Sequence, residues 1–193
     1  VVITLQLVIV AGREPVSSAF VFWLNRTGTH DNVIWHQVAQ ANFIHIVTGG
    51  SFGIGRATAL AFAAQGATVV IADWEDGSET LDLIKKNGGT GIFIQCDVSK
   101  VEQVNHLMET IETNYGRLDF AINNAGIEGH SSSLDSCTLE NWHHVLNVNL
   151  TGTFLCMKGE IPITWLQVKD PKLSFRDTNI GIPNSVTNVC KQE

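Results

Sequence analysis

The sequence predicts an α/β fold: a doubly wound parallel sheet with helices on both faces. Three observations carry that reading. Residues 44–158 alternate between short apolar runs and longer stretches of helical period. The clearest run, Ala67-Thr68-Val69-Val70-Ile71-Ala72, is continuously apolar and β-branched, as in strands covered on both faces. Between the first run and the first helix stands a glycine-rich turn, Thr48-Gly49-Gly50-Ser51-Phe52-Gly53-Ile54-Gly55.

The elements follow in order. Ile44-His45-Ile46-Val47 is the first strand, and Arg56 to Gln65 a helix stopped by Gly66. The second strand, 67–72, ends in Asp73. Ser78 to Lys86 forms a helix with Leu81 and Ile84 on one side and Asn87-Gly88-Gly89 as its stop. Ile92-Phe93-Ile94 is the third strand, leading to Cys96-Asp97-Val98. Ser99 and Glu102 stand three apart, as in a capping box, and Val101, Val104, Leu107, Met108 and Ile111 make an apolar helix face that ends at Gly116. Leu118-Asp119-Phe120-Ala121-Ile122 is the fourth strand, running into Asn123-Asn124-Ala125-Gly126. Thr138 caps a long helix, with Leu139, Trp142, Val145, Leu146, Asn149, Leu150 and Thr153 on one face; it ends near Lys158-Gly159, before Pro162. The alternation calls for right-handed crossovers between the strands. The sheet is truncated after the fourth strand and its helix, leaving that strand an edge and that helix face short of partners.

Residues 1–43 are an extension of uncertain order, in which Val1–Val10 and Ser18–Leu24 read as strands. Residues 159–193 read as a divergent tail. Of 193 residues, 44% are hydrophobic and 16% charged, which describes one globular domain. The net charge of −7 falls wholly within residues 45–158 and argues against a general nucleic-acid binder. Cys96, Cys137, Cys156 and Cys190 are widely spaced, as free thiols of a reducing compartment would be, and the expected location is cytoplasmic. No apolar run reaches the length of a membrane span, so no membrane partner is expected. His143 and His144 are adjacent on a helix and point apart, so no metal site is expected.

Strand, glycine turn and helix form the arrangement that wraps a pyrophosphate. Glycines let the backbone approach, and a helix N-terminus offers unpaired N–H groups. Asp73 lies 20 residues after Gly53, at the end of the second strand, where a carboxylate accepts ribose hydroxyls and repels a 2′-phosphate. That favours NAD over NADP.

With these residues in hand, the chain resembles the short-chain dehydrogenase/reductase family over about residues 44–158. The resemblance rests on Thr48 to Gly55, Asp97-Val98, Asn123-Asn124-Ala125-Gly126 and Asn147-Val148-Asn149-Leu150-Thr151-Gly152, met in family order. It implies a Rossmann-type fold with strand order 3-2-1-4 and a nicotinamide dinucleotide partner. It implies that Asp97 and Val98 contact adenine, and that Asn124-Ala125-Gly126 shapes the sheet edge beside the nicotinamide ribose. The candidate cofactor-binding residues are therefore Gly49, Ser51, Phe52, Gly53, Ile54, Gly55, Asp73, Trp74, Asp97, Val98, Asn124, Ala125 and Gly126. Asn149 matches the Asn of the family's catalytic tetrad, which bends its helix and holds a water in the proton relay. The helix 139–157 matches part of the family's dimer interface, so a homo-oligomer is expected.

The other members of that tetrad are a Ser and a Tyr-x-x-x-Lys pair. The sole tyrosine, Tyr115, precedes the fourth strand and starts no such pair. Ser174, Ser185, Lys169 and Lys172 stand in no matching context. Two functions follow: an NAD-dependent oxidoreductase for a secondary alcohol or ketone, impaired in this chain, or a non-catalytic NAD-binding isoform or regulatory partner. The abrupt start near residue 44 and stop near 162 point to a splice or gene-model origin for both ends.

Overall fold

The computed structural model describes residues 7–10 and 42–165. In chain order these form β1 (Leu7–Val10), β2 (Ile44–Thr48), α1 (Gly53–Ala64), β3 (Thr68–Asp73), α2 (Ser78–Lys86) and β4 (Thr90–Gln95). Then come α3 (Val101–Tyr115), β5 (Phe120–Asn123), α4 (Leu139–Leu146), a π-helical segment (Asn147–Gly152) and α5 (Thr153–Trp165). The sheet order is β1-β5-β2-β3-β4. The four strands from β2 to β5 are parallel and stand in the predicted order.

Successive strand residues point to opposite faces, and the core divides accordingly. Val47, Val69, Ile71, Phe120 and Ile122 pack under Ala59, Phe62 and Ala63 of α1 and Ile84 of α2. Ile44, Ile46, Val70, Ala72 and Ala121 pack under Val104, Leu107, Met108 and Ile111 of α3, with Val148, Cys156 and Ile163 beside them. All the strands of this parallel core end toward one side, where the loops after β2, β3, β4 and β5 converge.

The structure corrects several expectations. β5 is no edge: β1 pairs with it antiparallel, Leu7 opposite Asn123 and Val10 opposite Phe120, so the sheet is mixed. The Ser18–Leu24 strand, Ser174, Ser185, Lys169, Lys172 and Cys190 lie outside the described residues. The capping box at Ser99 does not form. The helix starts two residues later, at Val101, because Ser99 donates its N–H and its hydroxyl to Asp97 Oδ1, at 2.9 and 2.7 Å. Val101, in the first turn, is exposed rather than part of the core face.

The long last helix is interrupted. Asn147–Gly152 is π-helical, held open where Asn149 and Ile127 exchange two hydrogen bonds. The helix then runs past Lys158-Gly159 and through Pro162 to Trp165. Pro162 removes one donor from the ladder. It sits on the exposed side of the last turn, where water can satisfy the carbonyl left behind. The expected apolar face of α4 and the π segment is present but uncovered: Leu139 is 74% exposed, Trp142 51% and Leu150 65%.

Candidate functional site

The loops at the C-terminal ends of the parallel strands enclose a cavity of about 440 Å³. Gly49, Phe52, Gly53, Ile54, Gly55, Asp73, Trp74, Asp97, Val98, Asn124, Ala125 and Gly126 all line it. So do Glu75, Cys96, Ile127 and Val148, which the sequence reading did not select. Cys96, Ile127 and Val148 each adjoin a selected residue or sit inside a quoted motif, so adjacency was the available signal.

The glycine loop is anchored from below. The Ser51 N–H donates to Asp73 Oδ2 at 2.9 Å, and the Ser51 carbonyl accepts from Arg56 Nε at 2.8 Å and Thr80 Oγ1 at 3.0 Å. Ser51 is fully buried and does not line the cavity. The structure thus makes Ser51 a support for the loop, where the sequence reading had it as a contact residue. Arg56 carries the support outward by pairing with Glu79 at 2.7 Å.

Above that anchor, α1 begins without a side-chain cap and with no acidic residue in its first turn. The first intrahelical bond runs from the Arg56 N–H to the Phe52 carbonyl, 3.0 Å. The N–H groups of Gly53, Ile54 and Gly55 precede it and have no partner within the helix. Gly53 has φ +52°, a left-handed backbone that strains any side chain although a Cβ there would meet nothing within 4 Å. Gly55 has a different reason to be glycine: its Cβ would stand 2.0 Å from the Gly49 carbonyl oxygen. The two glycines set the shape of the loop, one by its left-handed backbone and one by allowing close approach.

Asp73 is nearly buried at the rim. Its Oδ1 accepts the Glu75 N–H at 3.1 Å while Oδ2 holds Ser51. A carboxylate has about four acceptor sites, so both oxygens retain capacity toward the cavity. Trp74 stacks on His144 of α4, centroids 6.5 Å apart and planes at 20°. Val98 is buried against Gly152 of the π segment, where a Cβ would lie 2.7 Å from Val98 Cγ2. Burial, aided by the charge of Asp97, pushes the Cys96 thiol up to about 11, so it stays protonated and is a poor nucleophile.

Asn124 ties two strand ends together. Its side-chain amide donates to the carbonyls of Thr48 (3.0 Å) and Gly49 (3.1 Å). Thr48 Oγ1 in turn accepts the N–H groups of Asn124 and Ala125, both at 3.0 Å. Asn149 stands one step behind the cavity. Its side-chain amide is committed to the backbone of Ile127 at 2.8 and 2.9 Å, and its own carbonyl accepts from Thr153 Oγ1 at 3.0 Å. Tyr115 ends α3, half-buried against the core and outside the cavity, with its hydroxyl pKa raised by burial. No group of three or more His, Cys, Asp or Glu is placed to hold a metal among the described residues.

Residues 44–167 match the profile of the short chain dehydrogenase family. The chain belongs to that family. The match extends past Pro162, where the sequence reading had the resemblance stop. Over 122 residues the chain is 39% identical to a 3beta-hydroxysteroid dehydrogenase of Mediterraneibacter gnavus, covering 62% of this chain and 44% of that one. Over 119 residues it is 40% identical to glucose 1-dehydrogenase 2 of Bacillus subtilis, covering 60% and 46%. Among solved structures it is similar to a short-chain type dehydrogenase/reductase from Mycobacterium marinum, with TM-score 0.63, 29% identity, and coverage of 67% and 53%. It is also similar to a 3-ketoacyl-ACP reductase from Sinorhizobium meliloti, with TM-score 0.58, 34% identity, and coverage of 62% and 48%. The chain therefore spans about half the length of the relatives it matches. Members of this oxidoreductase family bind a nicotinamide dinucleotide.

Proposed function

We propose that the cavity binds NAD, and that the chain carries the cofactor-binding part of an NAD-dependent oxidoreductase for a secondary alcohol or ketone. The observation that carries this reading is the convergence of the uncapped α1 N-terminus, Asp73, Asp97-Val98 and Asn124-Ala125-Gly126 on one cavity. The free N–H groups of Gly53, Ile54 and Gly55 hold the pyrophosphate. Asp73 accepts the adenosine ribose hydroxyls with its remaining lone pairs. Glu75 and Asp76 follow it, so a 2′-phosphate meets three carboxylates within four residues. Val98 and Asp97 flank the adenine, and the Asn124–Gly126 rim faces the nicotinamide ribose. Bound there, the cofactor supplies hydride transfer at a substrate carbon.

Hydride transfer also needs an acid at the substrate oxygen, and the residues of this sequence supply no Tyr-x-x-x-Lys. Tyr115 lies outside the cavity with its pKa raised, the wrong direction for a proton donor poised near neutrality. That favours the second reading for this chain by itself, a dinucleotide binder without turnover. The free thiols of Cys96, Cys137 and Cys156 support a cytoplasmic setting. Among the described residues no helix is long and apolar enough to cross a membrane. The exposed stripe of Leu139, Trp142, Leu150 and Phe154 supports self-association through residues 139–157.

Calorimetric titration of the full chain with NAD and NADP tests the reading. NAD is expected to bind and NADP to bind at least about tenfold more weakly, the order of one unfavourable charge contact. No heat of binding at millimolar NAD would overturn it. Alcohol-dependent NADH formation at the rate of a complete family member would overturn the non-catalytic reading.

A further inference from the structure

Glu160 lies in α5 with none of its surface exposed. Asn123, at the end of β5, donates from Nδ2 to Glu160 Oε2 at 3.1 Å. The other oxygens of this pair, Glu160 Oε1 and Asn123 Oδ1, are both buried and have no hydrogen-bond partner among the described residues. Two orphaned acceptors on two joined side chains lack one donor between them. Asp119, the other buried acidic side chain of this region, is fully partnered: it pairs with Arg117 and accepts the Ile44 N–H at 2.8 Å. Among the described residues no cation pairs with Glu160.

We propose that Glu160 is a neutral acid in the folded chain, its Oε1 proton donated to Asn123 Oδ1, so that acid and amide close a two-bond clasp positioning the Asn124–Gly126 rim. Burial pushes the Glu160 carboxyl up to about 7. Among the described residues the titratable groups near it are thiols: Cys156 one turn earlier in α5, and Cys96 beyond it, each raised by burial. The α3 face turned to the same core is Val104, Leu107, Met108 and Ile111, with half-buried Tyr115 at its end, all uncharged at neutral pH. β5 offers only Asn123. Ionisation therefore removes one bond of the clasp and leaves a charge among apolar groups and thiols. Asn123 adjoins Asn124, whose bonds to Thr48 and Gly49 set the cavity rim. Glu160 is thus a positioning residue. Its link to the rim rests on the NAD reading; the clasp itself does not.

The test compares the full chain with Glu160→Gln, an isosteric amide that supplies the same donor and acceptor at every pH. Infrared difference spectra of the two proteins at pH 6 are expected to show a protonated carboxylic acid in the wild type only, titrating away near neutrality. A carboxylate band at pH 6 would overturn the clasp. A folded pKa raised above the unfolded value gives stability that is full below about 4.5 and lost as pH rises through about 7. From pH 5 to pH 8 the wild-type folding equilibrium constant is expected to fall on the order of fifty- to a hundredfold relative to Glu160→Gln; parallel profiles would overturn the clasp. At pH 8 the Asn124 and Ala125 amides are expected to exchange about tenfold faster in the wild type, the size of one weakened hydrogen-bonded contact. Equal exchange would overturn the positioning role. Should neither protein bind NAD at any pH, the cofactor reading fails while the infrared and stability data still judge the clasp.

Discussion

On one face of the sheet, α1 and α2 set Phe62, Ala63 and Ile84 over Val47, Val69 and Ile71, and the large apolar residues left exposed there, Phe52 and Ile54, line the cavity. On the other face, α3 buries Val104, Leu107, Met108 and Ile111, but α4 buries none of its residues. α3 and α4 carry apolar residues at similar helical spacing. The difference is what lies beneath: α3 has the sheet, whereas α4 continues into the π segment and presents Leu139 and Trp142 outward. Helical periodicity foretells an apolar face and leaves its partner unspecified. Each face also hides a titratable side chain with a polar atom that has no partner among the described residues. His45 sits among Phe43, Phe62 and Phe120 with both ring nitrogens unpartnered among the described residues, and Glu160 sits against Asn123 on the opposite side.

The sharpest way to break the finished face is Gly55→Val. Its Cβ cannot coexist with the Gly49 carbonyl at 2.0 Å, so a loss of about 4 kcal/mol or more is expected in denaturant unfolding. Leu107→Ala is expected to cost about 2–5 kcal/mol, because its side chain is wholly buried under the sheet. A cost equal to that of an exposed leucine would erase the contrast between the helices.

His45 gives the faces opposite pH responses. Its pKa is lowered to about 3 by burial, so its neutral form is favoured by folding. That contribution is present above about 6.5 and lost as pH falls toward 3, the reverse of Glu160. His45→Leu is expected to remove about 2–4 kcal/mol of that acid sensitivity, read from stability at several pH values. A wild-type acid slope retained in the variant would refute this.

Smaller effects follow. Asp73→Asn is expected to weaken NAD about tenfold, or about 1.4 kcal/mol, in calorimetry, while weakening NADP less. Smallest is Leu150→Ser, expected to change stability by less than about 0.5 kcal/mol while reducing self-association in sedimentation. A loss comparable to Leu107→Ala would mean that the α4–α5 stripe is covered within the chain.

Much of this was legible in the residues. Short apolar runs located the four parallel strands, and the Ser78–Lys86 helix was bounded by its own stop signals. The glycine spacing and Asp73 marked the cavity before any coordinate did. The misses share a cause. Ser99 and Glu102 have capping-box spacing, but Asp97 takes the Ser99 hydroxyl first. By period alone Asn149 is one more position on a helix face; only the resemblance implied a bend there, and its bonds to Ile127, 22 residues away, open the π segment. Nothing near Leu7–Val10 names Phe120–Asn123 as its partner.

By itself, then, the sequence determined the βα alternation and the residues around the cavity, because period, glycine and strand-end chemistry are local and repeat along the chain; the strand order came from the resemblance. Only the tertiary structure decided that Ser51 supports the loop, that α4 stays uncovered and that His45 and Glu160 are sealed on opposite faces. Those outcomes depend on which distant groups compete for the same donor or the same surface, and a linear pattern does not encode that competition.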